Sequence, residues 1–312
     1  MSRPEVSVLI VTYNSSHVIG DCLSALGSEH EVIVYDNASS DETVTLIEET
    51  FPHCSVIAGD LNLGFAGGVN KAAAQATGRN IMLLNPDAVI SAADVRILAE
   101  TVASTHGGIV APLIRTDDVR VAAAGRMPTA WAMASHYFGL SRLARGRRGL
   151  QGHYLLPSDI GNDLVAVDWV TGACLMVDAE TWRRVGGLSE RWFMYAEDIE
   201  FCWRVSLSGG AVLIQPRARA RHLVGSSSNT TTETNSAWVL NLYEFYRADL
   251  ARSGLQRLWW GVVVGAGLAF RALVFQVQSL RNPAGGYRRS AREFAHHSRA
   301  IFGSLTTSSD GR

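Results

Sequence analysis

The sequence predicts an α/β fold: a mostly parallel sheet, a mixed extension of it, and a helical C-terminal region. Three observations carry that expectation. Short apolar runs alternate with helix-period segments through residue 104, the pattern of successive βαβ units. Each of three runs ends in a polar cluster, Thr12-Tyr13-Asn14, Asp36-Asn37 or Asn85-Pro86-Asp87. Beyond about residue 227 the pattern changes to long apolar and Arg-rich stretches without strand signals. A 47% apolar content is enough for a folded core and argues against disorder.

The elements follow in order. Val6 to Val11 is a nearly continuous apolar run, as expected of a strand buried on both faces. His17 to Leu26 has helical spacing, and Glu31 to Tyr35 is a second strand. Ser39-Ser40-Asp41-Glu42 is a helix-start signature for a segment reaching Thr50. Ser55 to Ala58 reads as a strand, Gly67 to Ala76 as a helix, Asn80 to Leu84 as a strand and Ala92 to Ser104 as a helix. Gly107 to Pro112 and Val119 to Ala124 would be strands of the mixed extension. Met127 to Gly152 reads as an amphipathic insertion with a basic cluster (Arg142, Arg145, Arg147, Arg148). A strand pair over Asp168 to Val177, with a tight approach at Gly172, precedes a short helix from Ala179 to Val185. Glu197 to Ser208 is an amphipathic helix, Ala211 to Gln215 a strand, and Gly225-Ser-Ser-Ser-Asn229 a loop.

In parallel α/β sheets ligands sit beyond the carboxyl ends of the strands, so the three polar strand ends should converge on one crevice. Asp36 can accept hydrogen bonds from a ribose or base, or it can cap the turn before Ser39. Asn62 to Asn70 is glycine-rich and opens a helix, so backbone N–H groups could face an anion. Asp87 could hold a divalent cation bridging a diphosphate. Glu197 and Asp198 start a helix, where the dipole favours ionised carboxylates, and follow Trp192-Phe193-Met194-Tyr195. A carboxylate walled by aromatic rings can take a proton from a sugar hydroxyl.

Composition narrows the classes further. Net charge is −1, yet nine arginines face only Asp249 and Glu293 between Arg247 and Arg299. Lys71 is the single lysine, and arginine forks suit phosphate. Duplex nucleic acid is excluded as a partner by the acidic N-terminal half. Four dispersed cysteines without a CxxC pair suggest reduced thiols in the cytosol and no structural zinc. The N-terminus leads straight into a strand, with no signal-sequence pattern. A dinucleotide-dependent oxidoreductase would need GxGxxG after the first strand, where Thr12-Tyr13-Asn14-Ser15-Ser16 stands instead.

Taken together, Val11 to Asn14, Asp36 to Asp41, Asn62 to Asn70, Asn85-Pro86-Asp87, Gly172 to Met176, Val185 to Leu188, Phe193 to Asp198 and His222 resemble the inverting family 2 glycosyltransferases, within them the rhamnosyltransferase-like members. The resemblance runs in order over roughly residues 5 to 226. It implies a GT-A (nucleotide-diphospho-sugar transferase) fold with a Rossmann-like sheet. Residues 1–226 would be the catalytic domain, with 1–112 binding nucleotide sugar and 113–226 acceptor, and 227–312 a helical appendage. Thr12, Tyr13, Asn14, Asp36, Asn37, Asn62, Gly64, Phe65, Gly67, Asn70, Asn85 and Asp87 would hold the nucleotide sugar. Asp87, with His222, would hold Mg²⁺ or Mn²⁺, Asn85 standing where the family's metal motif usually begins with Asp. Asp198 would be the general base and Glu197 its helper, with Trp192, Tyr195 and Gly172 against the acceptor.

The donor implied is a nucleoside diphosphate sugar, dTDP-L-rhamnose first, with UDP- and GDP-sugars as alternatives. The acceptor implied is a glycan or lipid-linked sugar of cell-envelope polysaccharide synthesis. A non-catalytic nucleotide-sugar-binding scaffold is the competing class, and the oligomeric state stays open. Leu258 to Phe270 is an uncharged, mostly apolar run bracketed by Arg257 and Arg271. At thirteen residues it falls short of the roughly 20 that span a bilayer. It reads either as a buried helix or as an interfacial helix placing the protein on the cytoplasmic membrane surface.

Overall fold

The computed structural model describes residues 5–105, 107–116, 119–120, 123–143, 147–156, 159–222, 235–283 and 285–307. The expected loop at Gly225 to Asn229, and Arg145 of the basic cluster, lie outside these residues. In chain order the elements begin with β1 (Val6–Thr12), α1 (Ile19–Leu26), β2 (Glu31–Asp36), α2 (Thr43–Thr50), β3 (Ser55–Ala58), α3 (Gly64–Ala73), β4 (Asn80–Leu84) and β5 (Ala88–Ile90). They continue through α4 (Ala92–Ala103), β6 (Ile109–Thr116), β7 (Val119–Arg120), β8 (Ala124–Gly125), α5 (Ala130–Tyr137), α6 (Leu140–Leu143), β9 (Val165–Val167), β10 (Trp169–Val170) and β11 (Cys174–Asp178). The last are α7 (Ala179–Val185), α8 (Glu197–Leu207), β12 (Val212–His222), α9 (Ala237–Phe245), α10 (Gly254–Arg281) and α11 (Tyr287–Thr307).

Contacts divide the chain into two compact units, residues 1–124 with 160–229, and residues 125–159 with 230–312. The first contains the main sheet, in the order β3-β2-β1-β4-β11-β6-β12-β5. Its β3-β2-β1-β4 half is wholly parallel. The extension is mixed: β11 runs antiparallel to β4 and β6, and β12 is parallel to β6 but antiparallel to β5. The core under one face joins Ile10, Val34, Met82 and Cys174 to Ile19 and Leu23 of α1 and Leu98 of α4. Burying each such aliphatic side chain contributes roughly 1.5–3 kcal/mol. All four cysteines are free thiols.

Two boundaries differ from expectation for physical reasons. Helix α3 starts at Gly64 rather than Gly67, so part of the glycine-rich segment is helix. A Cβ on Gly68 would come within 2.8 Å of Val11 Cγ1, so this glycine permits close helix-to-strand packing. Strand β12 continues past Gln215 to His222, with Ala218 and Ala220 buried and Arg217, Arg219 and Arg221 exposed.

In the second unit Trp260 stacks between Tyr243 and Tyr246, each with ring centroids 5.3 Å away, and its indole N–H donates to the Pro128 carbonyl. The apolar run is the middle of the 28-residue α10, a helix long and apolar enough to cross a membrane by length and composition. Helix α11 returns along it: Leu305 meets Gly261 and Phe302 meets Gly265, where side chains larger than hydrogen would collide. Residues 125–159, expected beside the acceptor half, cluster with these helices.

Candidate active site

The end of β1 and the turn after β2 are clasped together by side chains. Thr12 Oγ1 donates to Asp36 Oδ1 at 2.7 Å, and Ser39 donates to both Asp36 oxygens, through its amide (2.7 Å) and its hydroxyl (2.6 Å). Asn14 accepts from the Ser40 amide while its own N–H donates to Ser39 Oγ. Asp36 is therefore the cap of this turn, the second of its two readings, and is buried. Tyr13 projects outward at 48% exposure, leaving its ring available to a base.

Asn37 carries the next connection. Its amide donates to the Gly64 carbonyl and its carbonyl accepts from the Leu63 amide, fastening the glycine-rich segment to β2. Asn62 accepts from the Gly64 amide. Asn70 points elsewhere: its side chain is engaged by Leu188 and Glu190, so it anchors the turn after α7. Gly64 sits at φ 73° against Phe193, whose carbonyl accepts from the Phe65 amide. Gly67 is buried inside α3, against the Leu63 side chain.

The Asn85-Pro86-Asp87 turn is closed by the Ala88 amide donating to the Asn85 carbonyl, with Pro86 at its corner. Antiparallel pairing of β5 with β12 sets His222 opposite Ala88. The result is a part-buried contact, His222 Nε2 to Asp87 Oδ1 at 3.0 Å, with Asn85 Nδ2 at 3.4 Å from the same nitrogen. No group of three or more His, Cys, Asp or Glu residues gathers to form a metal cage among the described residues. The carboxylate suits Mg²⁺ or Mn²⁺ with diphosphate oxygens and water completing the shell, and the imidazole fits the transition metal Mn²⁺ better than the harder Mg²⁺.

The acidic pair lies one step along the same framework. The Ala173 carbonyl accepts from the Asn85 amide, and the Gly172 amide donates to Asp198 Oδ2 at 2.9 Å. The Ile199 amide donates to Asp198 Oδ1 at 2.8 Å, so the carboxylate is held from both sides. Phe65 closes the other flank, its ring 3.0 Å from where a Gly172 Cβ would stand. Tyr195 and Ala196, directly before α8, both occupy the left-handed region at φ 73° and 79°. Such residues cost about 1–3 kcal/mol each and cluster at functional sites.

The expectation that both carboxylates ionise freely is corrected for Glu197. Only 5% exposed, with Oε2 lacking a hydrogen-bond partner, it has its pKa pushed up to about 8 by burial and then by Asp198. Burial also raises Asp198, against the lowering effect of the Gly172 and Ile199 amides. A carboxyl that keeps its proton only when folded costs stability as pH climbs past its unfolded value, and the loss is complete above the folded one. Wild type should therefore lose stability progressively from about pH 4.5 to about 8 through this group. Glu197→Gln should flatten that slope in denaturant unfolding at pH 5, 6.5 and 8.5. An unchanged slope would refute the assignment.

The aromatic run divides. Trp192 is buried beneath the Arg191 guanidinium, 4.3 Å from its ring centroid, so its predicted contact with acceptor has no open ring face to rest on. Phe193, Met194 and Tyr195 are the exposed members. Sequence reasoning missed Glu200 and Arg204, which the i,i+4 spacing on α8 could have flagged. Arg204 grips buried Glu200 at 2.6 and 2.7 Å and donates to the Val185 and Gly187 carbonyls.

Comparison with known proteins points one way. Residues 7–156 match the model of the glycosyl transferase family 2. A low-salt glycan biosynthesis hexosyltransferase of Haloferax volcanii is 29% identical over 205 residues, 64% of this chain and 61% of that protein, so less than two thirds of that relative's length is matched. The N-acetylglucosaminyl-diphospho-decaprenol L-rhamnosyltransferase of Mycobacterium tuberculosis is 26% identical over 302 residues, 88% of this chain and 94% of that protein. In fold, the chain superimposes on a mannosyltransferase of Pyrobaculum calidifontis solved with GDP-Man and Mn²⁺, with TM-score 0.60 and 16% identity over 99% of this chain and 89% of that one.

Proposed function

This chain is a family 2 glycosyltransferase with a GT-A fold, and from that premise we propose that it transfers L-rhamnose from dTDP-L-rhamnose, with inversion, to a hydroxyl of a lipid-linked sugar. The place of the reaction is the inner face of the cytoplasmic membrane, in cell-envelope polysaccharide synthesis. The choice of sugar and lipid rests on the mycobacterial relative, whose name specifies both. The observation that carries the chemistry is the fixing of Asp198 by two amides, one of them from Gly172, beside the Ala173 carbonyl that positions the Asp87 turn.

Asp198 takes the proton of the acceptor hydroxyl as that oxygen attacks the anomeric carbon in a single in-line displacement. Glu197, pushed toward its neutral form by burial and by Asp198, keeps a second negative charge from building beside the base. Tyr13, Thr12 and the segment around Gly64 and Phe65 bind the nucleotide sugar, and Tyr195 with Phe193 lines the acceptor side. Asp87 and His222 would hold Mg²⁺ or Mn²⁺, which when bound offsets the charge of the departing diphosphate.

The test is release of nucleoside diphosphate from dTDP-L-rhamnose in the presence of an N-acetylglucosaminyl-diphospho-prenol. Turnover with a UDP- or GDP-sugar instead would overturn the donor, and turnover with none would favour a non-catalytic scaffold. Chelation should lower the rate roughly 100-fold or more, restored by Mg²⁺ or Mn²⁺ in wild type but not in Asp87→Ala. Full activity in the chelator would remove the metal from the mechanism.

A further inference from the structure

The longest helix of the second unit has an apolar face that stays exposed among the described residues. On α10, Leu255, Trp259, Val262, Phe270, Leu273 and Leu280 are 76, 60, 37, 41, 61 and 71% exposed. At 100° per residue they fall on one stripe, with small, exposed Ala266 between Val262 and Phe270. The stripe is about 38 Å long, far beyond the few scattered apolar residues a soluble surface normally shows. It carries no charge: Arg257 and Arg271 fall on the opposite side of the helix.

Much of that opposite side is engaged by neighbours within the unit. Trp260 packs with Tyr243 and Tyr246, Gly267 meets Tyr137, and Gly261 and Gly265 receive Leu305 and Phe302. The exposed apolar surface of α10 lies along one side, while Trp260, Val263, Val264 and Leu268 of the same helix are buried.

Helix α11 supplies a second row. It packs antiparallel on α10, with Phe294 stacked on Phe275, and turns His297 to Ser236 and Trp238. With those two contacts fixed, the helical period carries Arg288, Arg292 and Arg299 to the side that the α10 stripe faces. All three are exposed, and no carboxylate pairs with them among the described residues. Exposed Phe302 lies between the two rows.

We propose that the α10–α11 hairpin is a membrane-docking surface that lies flat on an anionic bilayer, with the Leu255–Leu280 stripe among the acyl chains and Arg288, Arg292 and Arg299 on lipid phosphates. Charge complementarity selects this occupant: a second copy of the same face would set arginine row against arginine row. An apolar stripe flanked by arginines is the pattern of an interfacial helix, which sinks about 5–10 Å into the headgroup boundary. The proposal deepens the reading of a lipid-linked acceptor and rests on it for purpose alone, since docking needs neither donor nor acceptor.

The test is co-sedimentation of the full chain with vesicles of phosphatidylcholine alone or with 30 mol% phosphatidylglycerol, at ~50 and ~500 mM salt. Binding is expected to the anionic vesicles at low salt and to fall at high salt. Arg288→Glu/Arg292→Glu/Arg299→Glu should weaken it on the order of 100-fold or more, at about fivefold per arginine removed. Trp259→Glu/Leu273→Glu should abolish it while both variants keep the wild-type melting temperature and turnover on a water-soluble acceptor. Asp198→Asn should bind vesicles like wild type, which separates failure of docking from failure of catalysis. Three results would overturn the proposal: no binding by wild type, resistance of cell-membrane-bound protein to alkaline carbonate extraction (a spanning helix), or a dimer that Trp259→Glu/Leu273→Glu splits without any vesicle binding.

Discussion

Asp198→Asn lowers turnover by about 10²–10⁴-fold and leaves donor binding in place. The argument is geometric. Both oxygens of Asp198 are held by backbone N–H donors, from Gly172 and from Ile199, so the carboxylate is locked in orientation before substrate arrives. An asparagine has one acceptor and one donor where the site offers two donors, so one N–H faces an NH₂ and loses its partner. That mismatch costs about 1–3 kcal/mol of stability, and the residue left behind cannot accept a proton. Rate and stability should therefore both fall, by independent routes. Donor-induced thermal stabilisation should be unchanged, because the residues proposed to bind the nucleotide sugar, Tyr13, Thr12 and the segment around Gly64 and Phe65, keep their side chains and backbone in this variant. Measuring turnover and thermal shift on one preparation separates the effects. Equal turnover in variant and wild type would remove Asp198 from the mechanism.

The sheet was legible because strands such as Val6–Thr12 and Asn80–Leu84 are short apolar runs buried on both faces. The polar strand ends marked the candidate site by a related argument: chain leaving a buried strand must satisfy its polar groups, and loops there often carry function. What was harder to read depends on contacts distant in sequence. Gly68 fell in a glycine-rich segment read for its backbone N–H groups, and its packing purpose is visible only when Val11 is set beside it. The alternation Arg217-Ala-Arg-Ala-Arg221 is a period-two signal, and reading it as strand would have delivered His222 to Asp87 through the β5 pairing. Three-residue β5 gives too little pattern to find alone. Helix α11 was hidden by its composition, since its arginines and histidines outweigh the few apolar residues it buries. The elevation of Glu197 could not be read from the dipole argument, because burial opposes the dipole and wins here.

The second large effect falls on stability rather than chemistry. Arg204→Met should destabilise the protein by roughly 3–5 kcal/mol, because it strands the buried carboxylate of Glu200. Glu200 has 6% of its side chain exposed, and its two oxygens meet the Arg204 guanidinium in a fork at 2.6 and 2.7 Å. The same guanidinium donates to the Val185 and Gly187 carbonyls at 2.7 and 2.8 Å, where left-handed Gly186 and Gly187 end α7. One side chain thus ties α8, which carries Asp198 in its first turn, to the turn that Asn70 anchors from α3. Arg204→Lys keeps the charge but not the planar fork, so it should recover only part of the loss. Glu200→Leu/Arg204→Met removes both charges and should regain the desolvation component, while the two carbonyls still lack their donor. The order of unfolding midpoints in urea should therefore be wild type, double variant, single variant. Turnover of the single variant should fall as well, since the amide of Ile199 that orients Asp198 lies in the first turn of α8. If the midpoints of the single variant and wild type coincide, Arg204 does not hold the two helices together.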